Sequence, residues 1–343
     1  MKALLHTKPY CLEYCDFPDP TPGDDGVLIR VKACGICGSD VQGFTGKTGR
    51  RIPPIIMGHE AAGVVESLGN KAAGFRVGDR VTFDSTVYCN KCPSCQAGLF
   101  NRCEKRQVLG VSTSEFKRHG AFAEFVCVPW WTVARIPDSL SFTHAAMLEP
   151  VSIASHGVNR ATISAGDAVA VIGAGTIGLF VIQAARLTGA GTVIACDIND
   201  FRLDIAKRLR ADVIINTAKC DPVQMVLEQT GNRGADVAFE VVGYAETFCI
   251  ALLVTKTGGR IVSIGNVQKM VEFNLQDLVA RELTVTGSYA SSGEFRDCIE
   301  LVASGKIDVK PLISDVLSLK DGPRAFERLL KGRENLLKII LEP

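Results

Sequence analysis

An excess of charge of either sign is missing from this sequence. Its 38 lysines and arginines stand against 37 aspartates and glutamates, leaving a formal net charge of +1. So balanced a chain has no electrostatic footprint for nucleic acid or for an anionic membrane surface, and neither partner is expected. Two short basic spots, Arg50–Arg51 and Lys117–Arg118–His119, read as solvated loop charge. Long apolar runs are also missing. The most apolar one, AVAVIGAGTIGLFVI from Ala168 to Ile182, falls short of the roughly 18 residues needed to span a bilayer. Met1-Lys2-Ala3-Leu4-Leu5 runs straight into His6, Lys8 and Pro9 with no signal-peptide core, so a cytoplasmic location is expected. Aromatic residues make up only 7%, but hydrophobic residues reach 47% over 343 residues, enough for two globular cores.

Cysteine is not scarce: there are 13. In a reducing compartment, clustered cysteines read as metal ligands before disulfides. YCNKCPSCQAGLFNRC places Cys89, Cys92, Cys95 and Cys103 in a C-x2-C-x2-C-x7-C run. Four thiolates so close in sequence suit tetrahedral zinc with no open position, a structural site. An iron–sulfur cluster would favour another final spacing and a proline where Glu104 stands. Residues 84–107 therefore form an expected zinc lobe. A second pair, Cys34 and Cys37 in ACGICGSDVQG, fits half a zinc site, a redox couple or chance. Further candidates are His59 and Glu60 in MGHEAAG, and Glu149 before Pro150. Alone, His59 reads as a core histidine and Glu149 carries no meaning.

Residues 1–150 show short alternating runs between glycine and proline turns, the pattern of a β-rich domain. From residue 151 the pattern becomes strand–helix alternation, with strands expected at 168–173, 192–197, 213–216, 236–243, 259–265 and 283–288. That predicts an α/β, doubly wound, six-stranded parallel sheet. Helices are expected at 176–188, 201–211, 222–229 and 245–255. After the first strand comes GAGTIG. Gly173 allows the tight turn, Gly175 the approach of a pyrophosphate, and Gly178 close helix–strand packing. The phosphates then face Thr176 and Ile177 at the helix N-terminus. Asp197 ends the next strand, where it would accept from ribose hydroxyls and repel a 2′-phosphate, favouring NAD over NADP. Arg202 is a candidate partner for a 2′-phosphate, although on a helix it reads more often as a surface charge or a lid over adenine. Residues 288–343 exceed what the sheet needs, with a helical period at Glu294–Ser304 and a final strand, LLKIILEP.

CGICGSD, GHE with Gly63, the four-cysteine lobe, FAEF, LEP and GAGTIG occur in the order of the zinc-dependent medium-chain dehydrogenases, which the whole chain resembles. Glu149–Pro150 makes it most similar to the polyol branch of sorbitol, galactitol-phosphate and threonine dehydrogenases. The resemblance implies a GroES-like catalytic domain, 1–150, interrupted by a Rossmann NAD domain, 151–287, with 288–343 returning to the former. It implies that Cys37, not Cys34, holds a catalytic zinc with His59, and that Glu60 and Glu149 are ligands either directly or through water. Asp40 is implied to face the other ring nitrogen of His59. Zinc and NAD together imply hydride transfer from a secondary alcohol or polyol, with the substrate hydroxyl made acidic by the metal.

Ser39 is the expected first proton acceptor. Many relatives have a histidine two positions after the Ser-Asp pair, where this chain has Gln42, which cannot titrate. Sorbitol dehydrogenases carry an Arg-Tyr pair where Ala290 and Ser291 stand here, which makes sorbitol itself doubtful. Lys117, Arg118 and His119 are candidates for holding a substrate phosphate. An amino-alcohol dehydrogenase, a zinc-free quinone reductase and a CGIC redox sensor are the competing functions. The apolar LTVTGS strand predicts a homo-oligomer, a tetramer or dimer.

Overall fold

In GVLIRVKACG (Gly26–Gly35) alternation sets the layout: Val27, Ile29, Val31 and Ala33 are buried, while Arg30 and Lys32 face solvent. This strand is the hub of a mostly antiparallel sheet in the order Val133–Arg135, Arg80–Phe83, Glu60–Leu68, Gly26–Gly35, Lys338–Glu342, Ile313–Ser318. Phe125–Pro129 pairs with it as well. The C-terminal strand is thereby stitched to the N-terminal region, with Ile340 opposite Gly35 and Leu341 opposite Cys34. The computed structural model describes residues 1–343. They divide into two compact units, Met1–Glu149 with Ser291–Gly305 and Val309–Pro343, and Pro150–Ala290 with Lys306–Asp308.

The core of the first unit is closed by the returning segment. Phe326, on the helix Gly322–Lys331, is fully buried and meets Phe44 at 5.4 Å and Phe122 at 5.7 Å between ring centroids. Both contacts are edge-on, the favoured geometry for aromatic pairs. Phe44 ends the short helix Gly38–Phe44, which carries Ser39 and Asp40.

The second unit holds six parallel strands in the order Val213–Asn216, Val193–Asp197, Val169–Ile172, Ala235–Glu240, Thr255–Ser263, Thr284–Gly287. Numbered along the chain this is 3-2-1-4-5-6, the doubly wound Rossmann order. Val169–Ile172 is buried throughout, as a central parallel strand with both faces covered must be. All six expected strands are present. Boundaries shift by one to four residues, most at the fifth strand, which starts at Thr255, directly after the helix Ala245–Val254, and not at 259. Thr255 is β-branched and fully buried, and its hydroxyl donates to the Ala251 carbonyl at 2.6 Å. No helix is long and apolar enough to cross a membrane.

Phe326→Ala should destabilise the first unit by about 3–5 kcal/mol, the usual cost of emptying a buried aromatic site. Calorimetry should show a lowered unfolding midpoint; an unchanged one would mean the returning segment does not close this core.

Candidate active site

Cys37 immediately precedes the helix Gly38–Phe44, and the helix's first turn directs Asp40 back beneath it. Asp40 is fully buried, and each of its oxygens is engaged. Oδ2 accepts from the Cys37 backbone N–H at 3.3 Å and lies 3.4 Å from Nδ1 of His59. The latter is an ion-pair distance without the alignment of a hydrogen bond, and no other group donates to or accepts from that nitrogen. Oδ1 receives Nε and Nη2 of Arg51 at 3.3 and 3.0 Å. Burial would raise the Asp40 carboxyl, but His59 and Arg51 outweigh it and hold Asp40 well below the usual carboxylate range.

His59 enters from the turn at Gly58, whose φ of +91° suits glycine and whose missing side chain leaves room for Phe122 and Cys34. With Nδ1 turned to Asp40, the second ring nitrogen is left for the Cys37 side. Ligand atoms of Cys37, His59 and Glu60 all lie within 4.8 Å of one another. Glu60 opens the strand Glu60–Leu68, and Lys338 Nζ grips both of its oxygens at 2.8 and 2.7 Å while also donating to the Ile36 carbonyl at 3.0 Å. Glu149 accepts from Ser85 Oγ at 2.8 Å. Burial pushes its carboxyl up to about 7, with His59 pulling it down and Glu60 pushing it further up. A thiol, an imidazole and buried carboxylates, one oriented from behind by Asp40, fit zinc by donor chemistry. Cys34 is buried beside them, with burial raising its thiol, and both Cys34 and Glu149 are absent from the group whose ligand atoms converge.

The second cluster is local. All four sulfurs of Cys89, Cys92, Cys95 and Cys103 lie within 4.8 Å of one another. Cys89–Cys95 is 4.0 Å and Cys92–Cys95 3.5 Å, bracketing the spacing of about 3.8 Å that a tetrahedral zinc–thiolate shell requires. Backbone N–H groups of Lys91 and Cys92 draw the Cys89 thiol down to about 6, whereas burial pushes Cys95 up to about 12. Sulfurs packed this closely cannot all ionise without a cation among them. The lobe has little other core: Tyr88 stacked on Phe100 at 4.2 Å, with Trp131 alongside. The residues therefore fit a structural zinc.

In the second unit Gly173 takes φ +105°, and a side chain on Gly178 would collide with the Gly173 carbonyl. The helix Thr176–Leu187 follows with Gly175 as its N-cap. Thr176 and Ile177, in its first turn, present N–H groups that no preceding turn can bind. Asp197 ends its strand with Oδ2 accepting from Ala174 N–H at 2.7 Å and Oδ1 from Asn199 N–H at 2.9 Å. The acid is thus fastened to the glycine turn. Arg202 Nη1 approaches the same Oδ2 at 3.8 Å, so its charge is directed at a carboxylate.

The sequence matches the alcohol dehydrogenase GroES-like domain over residues 23–138 and the zinc-binding dehydrogenase family over 176–304. It is 35% identical to a sorbitol dehydrogenase of Bacillus subtilis, over 100% of this chain and 97% of that protein. The chain belongs to the zinc-dependent alcohol dehydrogenase family. It is also 35% identical to L-idonate 5-dehydrogenase of Vitis vinifera, over 98% of this chain and 91% of that one. Among solved structures, a zinc-binding dehydrogenase from Sinorhizobium meliloti bound to NADP is 33% identical with a TM-score of 0.92, covering 100% and 99% of the two chains.

Two expectations for this dehydrogenase fail on its geometry. Arg51 is not solvated: it is 6% exposed and serves Asp40. Nor do Lys117, Arg118 and His119 form a phosphate clamp. Lys117 and Arg118 are successive residues of one strand and so point to opposite faces. Arg118 donates to Gln107 Oε1 at 3.2 Å, and His119 Nδ1 accepts from Ile56 N–H at 3.1 Å. Burial and Lys117 lower the His119 pKa, so it is no standing cation. Sequence reasoning missed Lys338 and Ser85. Lysine inside the apolar strand KIILE was a readable sign; Ser85 gave none.

Cys95→Ser should leave the dehydrogenase with one firmly held zinc ion in place of two and an unfolded lobe, read by metal analysis and by proteolysis near residues 84–107. Two ions retained with an intact lobe would contradict the structural-zinc assignment.

Proposed function

We propose that the chain oxidises a secondary alcohol or polyol by hydride transfer to NAD, with zinc held by Cys37, His59 and the carboxylates of Glu60 and Glu149. The observation that carries this is the convergence of Cys37, His59 and Glu60 within 4.8 Å in a pocket backed by Asp40. Zinc there supplies Lewis acidity that makes a substrate hydroxyl a better proton donor. The protein's own groups do the rest. Asp40 fixes the His59 ring so that one nitrogen faces the metal pocket. Lys338 balances Glu60, which keeps the net negative charge of the pocket low enough for an alcohol to lose a proton without strong repulsion. Ser39 Oγ, exposed on its helix, accepts that proton while passing its own hydroxyl hydrogen on to water or the cofactor ribose, because Gln42, exposed on the same helix, cannot titrate.

The sorbitol and L-idonate dehydrogenase relatives favour a polyol. Ala290 has φ +55°, and Ser291 is 2% exposed with its hydroxyl donating to Asp84 at 3.3 Å. Neither offers a cation to grip several hydroxyls, which favours a smaller or less hydroxylated substrate than sorbitol. For the cofactor, Asp197 with Arg202 directed at it supports NAD over the NADP found in the Sinorhizobium meliloti relative.

A screen of secondary alcohols, polyols, their phosphates and amino-alcohols against NAD and NADP tests the reading. Activity is expected with NAD on unphosphorylated alcohols, and no alcohol-dependent NADH formation by zinc-replete protein would sink it. Asp197→Ser should shift the NAD-to-NADP ratio of kcat/KM by about 10- to 100-fold toward NADP. An unmoved ratio would remove Asp197 from cofactor choice.

The same reading includes a cytoplasmic homo-oligomer, a dimer or tetramer. Thr284–Gly287 is one of the two edge strands of its sheet, and Val285, Val279, Leu275 and Met270 are exposed near it in sequence. An unpaired apolar edge favours pairing with a second copy. Sedimentation should find an oligomer that Val285→Lys dissociates; a monomeric wild-type protein would refute it.

A further inference from the structure

Arg51 occupies a loop, yet its side chain is 5% exposed. Burying a guanidinium is costly unless its donors are used, and here all three nitrogens donate. Nε and Nη2 reach Asp40 Oδ1, Nη2 also reaches Ser39 Oγ at 3.3 Å, and Nη1 reaches the Arg50 carbonyl at 3.1 Å. The backbone is held too. Arg51 bridges Ser112, with Ile52 N–H donating to the Ser112 carbonyl at 3.0 Å and Ser112 N–H to the Arg50 carbonyl at 3.3 Å. The aliphatic stem crosses the helix Gly38–Phe44 at Gly43. A Cβ there would stand 2.9 Å from the Arg51 Cβ and closer still to its Cγ, so the helix is built with a gap where the stem passes.

A serine hydroxyl has one hydrogen and two acceptor sites. Arg51 occupies one acceptor site of Ser39, so the hydroxyl hydrogen must point away from the guanidinium and the remaining lone pair is presented elsewhere. The same planar fork holds Asp40, whose other oxygen faces Cys37 and His59. One side chain therefore sets the relative placement of the proton acceptor and of the carboxylate that orients the imidazole. A lysine in its place keeps the charge but loses the planar fork that fixes the directions of the two contacts. We propose that Arg51 is a positioning residue for the reaction, acting through Ser39 by fixing the direction of its hydroxyl. This rests on the reading of Ser39 as the first proton acceptor.

Four variants test it: Arg51→Lys, Gly43→Ala, Ser39→Ala and the double Arg51→Lys/Ser39→Ala. Arg51→Lys is expected to lower kcat about tenfold or more with KM within about threefold, as misplacement of a reacting group does. Its solvent isotope effect on kcat should rise, because proton transfer becomes slower. The double variant should lose less than the product of the two single losses, since the share of the Arg51 effect that runs through Ser39 is already gone and only its hold on Asp40 is left. Gly43→Ala touches no charge and should lower kcat in the same direction by displacing the stem. It also guards against Arg51→Lys failing to fold. Zinc content, read on every variant, should match wild type in Gly43→Ala, whose thermal midpoint should fall by a few degrees as the buried stem is displaced.

Losses that multiply in the double variant, or kcat within twofold of wild type in both Arg51→Lys and Gly43→Ala, would overturn the proposal. If Ser39→Ala itself keeps wild-type kcat while zinc and NAD remain required, the acceptor role of Ser39 falls, and the proposal falls with it. The dehydrogenase reading would then stand.

Discussion

Negative charge buried around a thiol and an imidazole is the constraint on which the first unit is built. Asp40, Glu60 and Glu149 are all nearly or fully withdrawn from water beside Cys37 and His59. An unpaired buried carboxylate costs several kcal/mol, so each must be answered from somewhere in the chain. Lys338 answers Glu60 across 278 residues, and Arg51 answers Asp40. Ser85 supplies a neutral hydrogen bond to Glu149, which suits a group meant to meet a cation. The need for Lys338 gives a physical reason for the C-terminal strand to pair with Gly26–Gly35, because that pairing seats Lys338 next to Ile36 and Glu60.

The two cysteine sites solve different problems. Cys89, Cys92, Cys95 and Cys103 come from one short stretch and enclose a position completely, in a lobe whose remaining core is only a few aromatic side chains. Closed coordination there supplies stability that the lobe has too little apolar surface to generate. The site at Cys37 gathers its groups from a helix start, a glycine turn and the strand that follows the turn, so it depends on the fold of the whole unit. Its carboxylates and exposed neighbour Ser39 leave chemistry to be done. A comparable economy holds in the second unit, where Asp197 both ends a strand and accepts from the Ala174 amide, fastening the strand end to the glycine turn.

The sequence carried the parallel sheet almost strand for strand, because buried parallel strands and their helices have strong, distinct periods. The four-cysteine lobe was legible for the same local reason: its spacing is its geometry. Asp40, His59 and Glu60 could be named only through motif order, since no period relates residues that meet through tertiary folding. Arg51 was misread because a pair of arginines in a loop looks like any solvated charge, and its burial depends on Gly43 and on the bridge to Ser112. The Lys117–His119 stretch does not present a clamp because Arg118 is turned from Lys117 and bonded to Gln107, and His119 is taken by the Ile56 amide, which a count of positive charges cannot reveal.

The two donor sets predict one ion among four thiolates and another beside a single thiolate with nitrogen and oxygen ligands. X-ray absorption at the zinc edge of the purified protein tests this most directly. Two ions with a mean of about two and a half sulfurs each, the rest of the shell being nitrogen or oxygen, is the predicted result. A mean near four sulfurs, or zinc in the four-cysteine site alone, would contradict the account.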